Sequence, residues 1–426
     1  QSLPVVEGVA KESPVQPFRP PENSSKTLSA TYQRPYHMHG SIGPSAAIAL
    51  YDAQVLKVWT HSQGIFPLRL ALADVLGLAE DKIHLVHVPG AGCYGHNGAD
   101  DVALDAALAA RAVPGRPIML KWERADEHAW EPFGSAMQIE LQASLDDTGR
   151  VIYWNHETFS DTHMSRPSAH RENSRLLAAW HLQSPRPAPP VKPTPGFHTG
   201  IHRNADPIYD FADRRVVKHL VHDLPLRVSA LRSLGAYANV FAIESFMDEL
   251  AHSRDMDPLE FRLAHLSDNR ARAVLEAATS KANSGFSSAD DGHGRGLAVA
   301  RYKNSKCYVA VVIDLIVDDY GAIQLLRAVI AADAGQIVDP DGLRNQLEGG
   351  LMQSASWTLK EQVKFDDKGI VSRDWESYPI LTFAEVPEIE TVLIDRPDQP
   401  FLGSGEATQG PTAAAIGNAI FYAIGL

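Results

Sequence analysis

The chain has 426 residues, of which 44% are hydrophobic and 21% are charged, a composition typical of a globular protein with more than one domain. Its formal net charge of -13, with no basic block, argues against nucleic acid and anionic membrane surfaces as partners. No apolar run is long enough to span a bilayer, and the 2 cysteines are too few for an iron–sulfur cluster, which takes about four.

The opening of the chain, residues 1–27, is rich in Pro, Glu and Ser, which predicts a linker or a tail. It carries no signal-peptide pattern, and one interpretation is that the chain is a fragment from which an upstream part has been removed. The two cysteines further along, Cys93 and Cys307, are expected to be small buried side chains.

The first third of the chain alternates strand and helix patterns. One predicted helix has Pro67 in its first turn, where its missing N–H costs nothing, and is closed by Gly77 in the left-handed conformation. The other elements predicted here are strands at 46–51, 54–59, 82–88 and 116–122 and a helix at 99–112.

Three turns share the pattern Asp-Asp-x-Gly, in which aspartate starts the turn and glycine takes the positive φ that closes a hairpin. They lie at 146–149, 318–321 and 366–369, and β-rich segments flank the first two. A helical pair is predicted at 238–266, with Asp257 capping its second helix. Because hairpins and helices mix in both halves, we predict an α+β fold.

Two loop-like segments divide the chain. Residues 183–197 are dense in proline, and a segment at 281–296 is rich in Ser, Gly and Asp. We predict that the second is a linker between two mixed α/β subdomains, at 28–280 and 297–426, built from antiparallel hairpins and packed helices.

The glycine-rich segment 90–95 satisfies G-x-G-x-x-G after a strand, a pattern that can mark a phosphate-binding turn. His96, Asn97 and Gly98 delay the next helix, and the acidic candidate Glu123 stands later than the usual ribose-binding position. An NAD-dependent oxidoreductase is therefore an alternative. The narrower inference is that small residues let backbone N–H groups approach a ligand closely.

Two polar clusters are given structural interpretations. His37 and His39 would point the same way in an extended segment, but no third or fourth ligand stands at a metal-binding spacing. Asp100, Asp101 and Asp105 are expected on the solvated face of a helix.

Two glycine-supported segments near the C-terminus are candidates for ligand contact. Glu406 lies in a Gly-Ser-Gly-Glu-Ala segment ahead of an apolar helix predicted at 412–424, so that glycines expose its carboxylate. Gln346 lies in a helical pattern shortly before two adjacent glycines, which cost roughly 1 kcal/mol each relative to alanine. The structural alternatives are an acidic residue favourable near a helix start and close helix packing.

Four segments, taken in order, resemble the molybdenum-cofactor-binding large subunit of the xanthine dehydrogenase and aldehyde oxidase family. They are 60–63, 90–101, 231–245 and 403–418, with further matches at 247–250 and 257–262. Their residues are most similar to the isoquinoline 1-oxidoreductase β subunit and the nicotinate dehydrogenase large subunit. The resemblance runs from about Leu28 to the C-terminus and implies the two-subdomain fold of that family.

The resemblance implies roles for individual residues. Glu406 matches the catalytic base, and Tyr94 and Leu234 are candidate substrate contacts. Molybdenum is implied to be held by the pterin and by no protein ligand. The implied cofactor contacts are Gln63, Gly92, Tyr94, Gly95, Arg232, Gln346 and Gly405.

The implied activity is hydroxylation of an N-heterocyclic aromatic such as nicotinate or isoquinoline, with water as the oxygen source. The implied cofactor is a molybdopterin, with the cytosine dinucleotide form as one option. Because the chain has no cluster, flavin or haem motif, a separate small [2Fe-2S] subunit is implied as electron acceptor, with a cytochrome c as a further candidate. The cytoplasmic and periplasmic faces of a bacterial inner membrane are both left open as locations.

Departures from the family pattern concern the substrate. Asn97 and Gly98 stand where many relatives have Lys-Glu, so a glutamate that binds purines in some members is missing, which argues against xanthine. Leu234 replaces an aromatic residue, and the segment 39–44 lacks the usual Met-Glu-Pro. An aldehyde oxidoreductase of the same family and a cofactor-free module remain as alternatives.

Overall fold

The fold is taken from a computed structural model and is described for residues 5–7, 19–196, 198–284 and 292–425. The α-helices are α1 (Ile65–Leu76), α2 (Ala99–Ala112), α3 (Arg124–Trp130), α4 (Ala236–His252), α5 (Pro258–Ala264), α6 (Asn269–Asn283), α7 (Pro340–Leu359) and α8 (Gln409–Ile424). The strands are β1 (Val5–Glu7), β2 (Lys26–Arg34), β3 (Ala46–Asp52), β4 (Val55–Thr60), β5 (Ile83–His87), β6 (Ile118–Lys121), β7 (Phe133–Gly134), β8 (Met137–Leu145), β9 (Val151–Ser160), β10 (Arg214–Val221), β11 (Val228–Ser229), β12 (His293–Arg301), β13 (Tyr308–Val317), β14 (Ile323–Asp333), β15 (Phe365–Asp366), β16 (Gly369–Ile370) and β17 (Glu388–Leu393).

A sheet with the order β5-β4-β3-β6 forms an N-terminal module with α1 and α2. Its core contains Leu56, Val58 and Leu72, which are fully buried. Because β4 and β5 pair in parallel, the loops that follow them leave the same edge of the sheet. Those loops carry Gln63 and the glycine-rich segment 90–95.

Two further sheets share one hydrophobic core. The first has the order β1-β10-β9-β8-β2 and the second the order β12-β13-β14-β17. Trp154 of the first sheet, Phe246 of α4 and Val312 of the second sheet belong to the same buried cluster. The two halves of the chain are therefore packed together, and the subdomain boundary at 281–296 stays a prediction.

Helix α8 lies almost on the backbone of β12. A Cβ on Gly294 would come within 1.9 Å of the Ala419 carbonyl oxygen, and one on Gly296 within 2.0 Å of the Ala415 oxygen. Only glycine permits this approach. Gly294 contacts Ala419, and Gly296, two residues later, contacts the earlier Ala415. The strand and the helix therefore run in opposite directions. The residues after β12 and those before α8 therefore meet at one end of the sheet.

The local predictions are largely confirmed. Gly77 ends α1 with φ 63°, and the Asp257 carboxylate accepts from two N–H groups of α5. All three Asp-Asp-x-Gly turns join antiparallel strands. Among the described residues, no helix combines the length and apolar character needed to cross a membrane.

Two loop predictions need correction. The 281–296 segment is helical up to Asn283 and a strand from His293, because both ends pack into the shared core; residues 285–291 lie outside the described part. Within the predicted tail, Val5–Glu7 pairs with β10 and Lys26 already begins β2. Residues 1–4 and 8–18 lie outside the described residues.

Candidate cofactor cavity

A cavity of about 780 Å³ opens where the edge of the N-terminal sheet faces α7 and the segment before α8. Most of the predicted site residues line it, although they are scattered along the sequence. Neither Gly92 nor Leu234 is among its described lining residues. The predicted residues that line it are Gln63, Tyr94, Gly95, Arg232, Gln346, Gly405 and Glu406.

Arg232 is the central donor of this cavity. Its Nε donates to the Gly405 carbonyl oxygen at 2.8 Å, and its Nη2 donates to Gln346 at both the main-chain oxygen, 3.1 Å, and Oε1, 3.2 Å. Its Nη1 donates to Gln353 Oε1 at 3.3 Å. Burial lowers the pKa of Arg232 and the charge of Glu406 opposes that shift, so the guanidinium remains a cation.

Strained backbone follows Arg232. Ser233 and Leu234 have φ values of 69° and 53°, a region that residues with a side chain rarely adopt. This conformation aims the Ser233 N–H at Glu406 Oε1, 3.2 Å away. The Leu234 side chain is buried, and its carbonyl oxygen accepts from Arg34 Nη1 at 3.1 Å. A substrate role for Leu234 stays a prediction.

The second oxygen of Glu406 faces two residues that the sequence did not reveal. Glu406 Oε2 accepts from the Tyr302 hydroxyl and lies 3.4 Å from Arg203 Nη1. Burial, and then the charge of Glu406, raise the pKa of Tyr302. Tyr302 follows β12, and Arg203 follows a short 3-10 turn. Neither belongs to a recognisable motif, so no local signal could have found them.

The glycine-rich loop is held against the segment before Arg232. The Tyr94 carbonyl oxygen accepts from the Arg232 N–H at 2.7 Å, and a Cβ on Gly95 would come within 2.0 Å of the Ala230 oxygen. A Cβ on Gly92 would come within 2.7 Å of the Tyr94 ring. These two glycines serve close packing inside the protein, so the loop does not favour the dinucleotide-binding interpretation.

The aspartates at the start of α2 are buried, which corrects the expectation of a solvated face. Asp100 accepts from Ser62 Oγ at 2.6 Å, and Asp101 pairs with Arg227 at 2.7 Å. Burial raises the pKa of Asp100 to about 6. Loops cover this end of the helix, and Asp100 fixes the residue next to Gln63. Asp105 is partly buried and accepts from an indole N–H.

His37, His39 and Cys93 are buried and contact other residues of the protein. His37 stacks on Trp357, and His39 Nδ1 lies 3.2 Å from the buried Glu131. Burial raises the pKa of the Cys93 thiol to about 11, so it remains protonated. No group of metal-ligating side chains occurs among the residues described. Cys307 is also buried, as predicted.

The cavity fits a large polar cofactor. Gly349 lines it, and a Cβ there would meet nothing within 4 Å, so this helix face is open to a ligand. Arg232 and the Gln346 amide line the α7 side of the cavity, and the Gln63 amide lines the opposite wall, so polar groups face the cavity from two sides. The volume lies within the range of about 300–1,000 Å³ typical of ligand sites. Gly350, by contrast, faces Thr408, so close helix packing explains only that glycine.

Comparison with known proteins agrees with this geometry. A family model described as a molybdopterin cofactor-binding domain matches residues 20–183 and 189–266, and a second model of the same description matches 241–387. The chain is 39% identical to a subunit of nicotinate dehydrogenase from Pseudomonas putida, over 95% of this chain and 34% of that one. It is 27% identical to the beta subunit of isoquinoline 1-oxidoreductase from Brevundimonas diminuta, over 91% of this chain and 47% of the other. The chain thus spans about a third to a half of these curated relatives.

Solved structures confirm the predicted α+β fold. Quinoline 2-oxidoreductase from Pseudomonas putida 86 superposes with a TM-score of 0.74 at 14% identity, over 94% of this chain and 74% of that chain. Aldehyde oxidoreductase from Desulfovibrio gigas superposes with a TM-score of 0.72 at 16% identity, over 95% and 60% of the two chains. At this identity the likeness concerns the fold alone.

Proposed function

Because the chain belongs to the molybdopterin cofactor-binding domain family, within the xanthine dehydrogenase group, we propose that its cavity serves a molybdenum hydroxylase acting on N-heterocyclic aromatics. The proposal depends on one observation, that four predicted site residues lie around the same cavity. Gln63, Arg232, Gln346 and Glu406 are far apart in the sequence, yet they line one cavity.

Arg232 and Gln346 would hold the cofactor from the side of α7. The planar guanidinium suits phosphate and ring oxygens, and the neighbouring amide adds a donor and an acceptor. Gln63 would contribute a second amide from the opposite wall, and Tyr94 and Gly95 would bound the cofactor at the glycine-rich loop. Plain molybdopterin and its cytosine dinucleotide form are both compatible with this donor set.

Glu406 is the proposed base. When bound, the cofactor would supply a reactive oxygen derived from water and accept two electrons from the substrate. The Glu406 side chain is 34% exposed and lines the cavity, so its carboxylate is accessible to a proton donor there. The Ser233 N–H and Tyr302 hydroxyl each bind one carboxylate oxygen and thereby fix its orientation.

Two electrons must leave the site after each turnover. Cys93 and Cys307 are both buried free cysteines, and the residues described include no further cluster ligands. We therefore propose a separate [2Fe-2S] subunit as electron acceptor, with a cytochrome c as a candidate further along the route. Both relatives above are named as subunits of larger enzymes, which supports a multi-subunit assembly.

A nicotinate-like or isoquinoline-like ring is the proposed substrate. The names of the two relatives above support this choice. Gly98 packs against the Trp122 ring and presents no carboxylate to the cavity, which disfavours purines. The substrate carbon would be one beside a ring nitrogen, where electron deficiency favours attack by the oxygen.

The test is Glu406→Gln in the assembled holoenzyme, with turnover of nicotinate, isoquinoline and an aliphatic aldehyde measured beside molybdenum content. We expect normal molybdenum and a loss of turnover of about 10²- to 10⁴-fold, because a positioned base contributes that much. Glu276→Gln, an exposed change on α6, is the matched control. Turnover of aldehydes alone by the unaltered enzyme would contradict the heterocycle proposal, and near-normal turnover of Glu406→Gln would exclude Glu406 as the base.

A further inference from the structure

The direction of one hydrogen bond beside Glu406 can be assigned. Arg203 Nη1 donates to the Tyr302 hydroxyl oxygen at 2.7 Å, and a guanidinium has no acceptor to offer in return. The single phenolic proton must therefore point elsewhere. Its partner is Glu406 Oε2, which contacts the same hydroxyl. The Tyr302 hydroxyl thus accepts a hydrogen bond from Arg203 and donates one to the Glu406 carboxylate.

The surroundings keep this donor in its protonated form. Tyr302 is 6% exposed, and burial raises the pKa of its hydroxyl. The hydroxyl therefore carries its proton throughout the pH range in which an enzyme is assayed. Glu406 has a charge-assisted donor at one oxygen, from Tyr302, and a main-chain donor at the other, from Ser233.

The main chain around Tyr302 is fixed by the neighbour of Arg203. Asn204 Nδ2 donates to the Arg301 carbonyl oxygen at 2.8 Å, and Asn204 Oδ1 accepts from the Lys303 N–H at 2.8 Å. These two bonds bracket Tyr302 on both sides. Arg203 and Asn204, adjacent in the chain, thus hold the side chain and the backbone of Tyr302 respectively.

We propose that Tyr302 is a positioning residue for Glu406: it donates a hydrogen bond that keeps the carboxylate turned towards the cavity, and Arg203 and Asn204 hold Tyr302 in place. This inference rests on the proposed role of Glu406. It predicts that loss of the hydroxyl weakens proton removal without changing how tightly cofactor or substrate binds.

The test compares Tyr302→Phe with Tyr308→Phe. Tyr308 is a matched control because its hydroxyl also donates to a carboxylate, Asp268, at 2.8 Å, outside the cavity. In the holoenzyme we expect Tyr302→Phe to keep its molybdenum and its KM. Its kcat should fall about tenfold to a hundredfold, the effect of one hydrogen bond to a charged group, and the acid limb of its pH–rate profile should move to higher pH.

A second measurement needs no turnover. Carbodiimide modifies protonated carboxyl groups, and peptide mass spectrometry reports labelling at Glu406 as pH is varied. We expect labelling of Tyr302→Phe to persist to higher pH than labelling of the unaltered protein or of Tyr308→Phe. Identical labelling curves, or loss of molybdenum from Tyr302→Phe, would overturn the inference. An inactive unaltered enzyme would instead contradict the proposed function, and the labelling curves would still decide the role of Tyr302.

Discussion

The Nε group of Arg232 donates to the carbonyl oxygen of Gly405, which lies 173 residues further along the chain, at 2.8 Å. Another nitrogen of the same guanidinium donates to the main-chain oxygen of Gln346. One side chain thus ties helix α7 to the segment that carries Glu406. The rigid fork of arginine donors makes this double contact possible.

Replacing Arg232 by lysine should therefore abolish cofactor retention although the positive charge is kept. A single ammonium group cannot reach Gly405 and Gln346 together, and each lost hydrogen bond from a charged group costs about 1.5–3 kcal/mol. We expect molybdenum content below about a tenth of normal, measured by mass spectrometry of the metal. Arg344→Lys, on an exposed part of α7, is the control. Full molybdenum occupancy of Arg232→Lys would show that the fork is dispensable.

The adjacent glycines of α7 should respond in opposite ways. Gly349 faces open cavity, whereas a Cβ on Gly350 would come within 2.2 Å of Thr408 Oγ1. Gly349→Leu should keep or raise thermal stability, since leucine favours a helix by nearly 1 kcal/mol over glycine, but should lower molybdenum content by filling the cavity. Gly350→Ala should lower the melting temperature. Calorimetry together with metal analysis distinguishes the two, and equal losses of stability would contradict the assignment.

His128 should make the protein sensitive to acid. It is 1% exposed between Trp375 and Tyr378, and neither ring nitrogen hydrogen-bonds to any group in the described part of the chain. Burial lowers its pKa to about 4. Between the unfolded pKa, about 6.5, and pH 4, the unfolded state binds a proton that the folded state does not, so the free energy of unfolding falls as pH falls.

His128→Phe should remove this dependence. We expect its stability relative to the unaltered protein, measured by urea unfolding, to increase as pH is lowered from 7 to 4. His156→Phe is the contrasting variant. The pKa of His156 is also lowered to about 4, but its Nε2 lies 2.9 Å from Thr158 Oγ1 and 3.1 Å from Asn239 Oδ1. Its replacement should destabilise at every pH. A constant difference between His128→Phe and the unaltered protein would refute the prediction.

Local signals in the sequence were sufficient for much of the fold. Gly77 and Asp257 act through their own backbone and their nearest neighbours, so a short window contains the relevant physics. The burial of Asp100 could not be predicted in this way. Its surroundings come from Ser62 and from loops distant in the chain, and a helical pattern alone cannot reveal them.

The candidate site shows the same division. Glu406 and Gln346 stand in recognisable glycine-containing segments, and the family resemblance indicated both. Tyr302 and Arg203 depend on how β12 and the loop before β10 fold around the carboxylate, which no short motif encodes. Gly95 was interpreted as a site of ligand approach, yet the atom that demands glycine there belongs to Ala230.

The contact of Gly294 and Gly296 with α8 has a consequence for chain length. The two strand residues from Gly294 to Gly296 advance about 6.6 Å, and the four helix residues from Ala415 to Ala419 advance about 6 Å. The spacing of the two contacts is therefore nearly the same along the strand and along the helix. Tyr302 and Glu406 meet at the end of this matched pair. An insertion of one residue in the first turn of α8, before the docked Ala415, would turn the residues that precede it by about 100° relative to the docked part of the helix and carry Glu406 away from Tyr302. This region should therefore tolerate amino-acid substitutions far better than insertions or deletions.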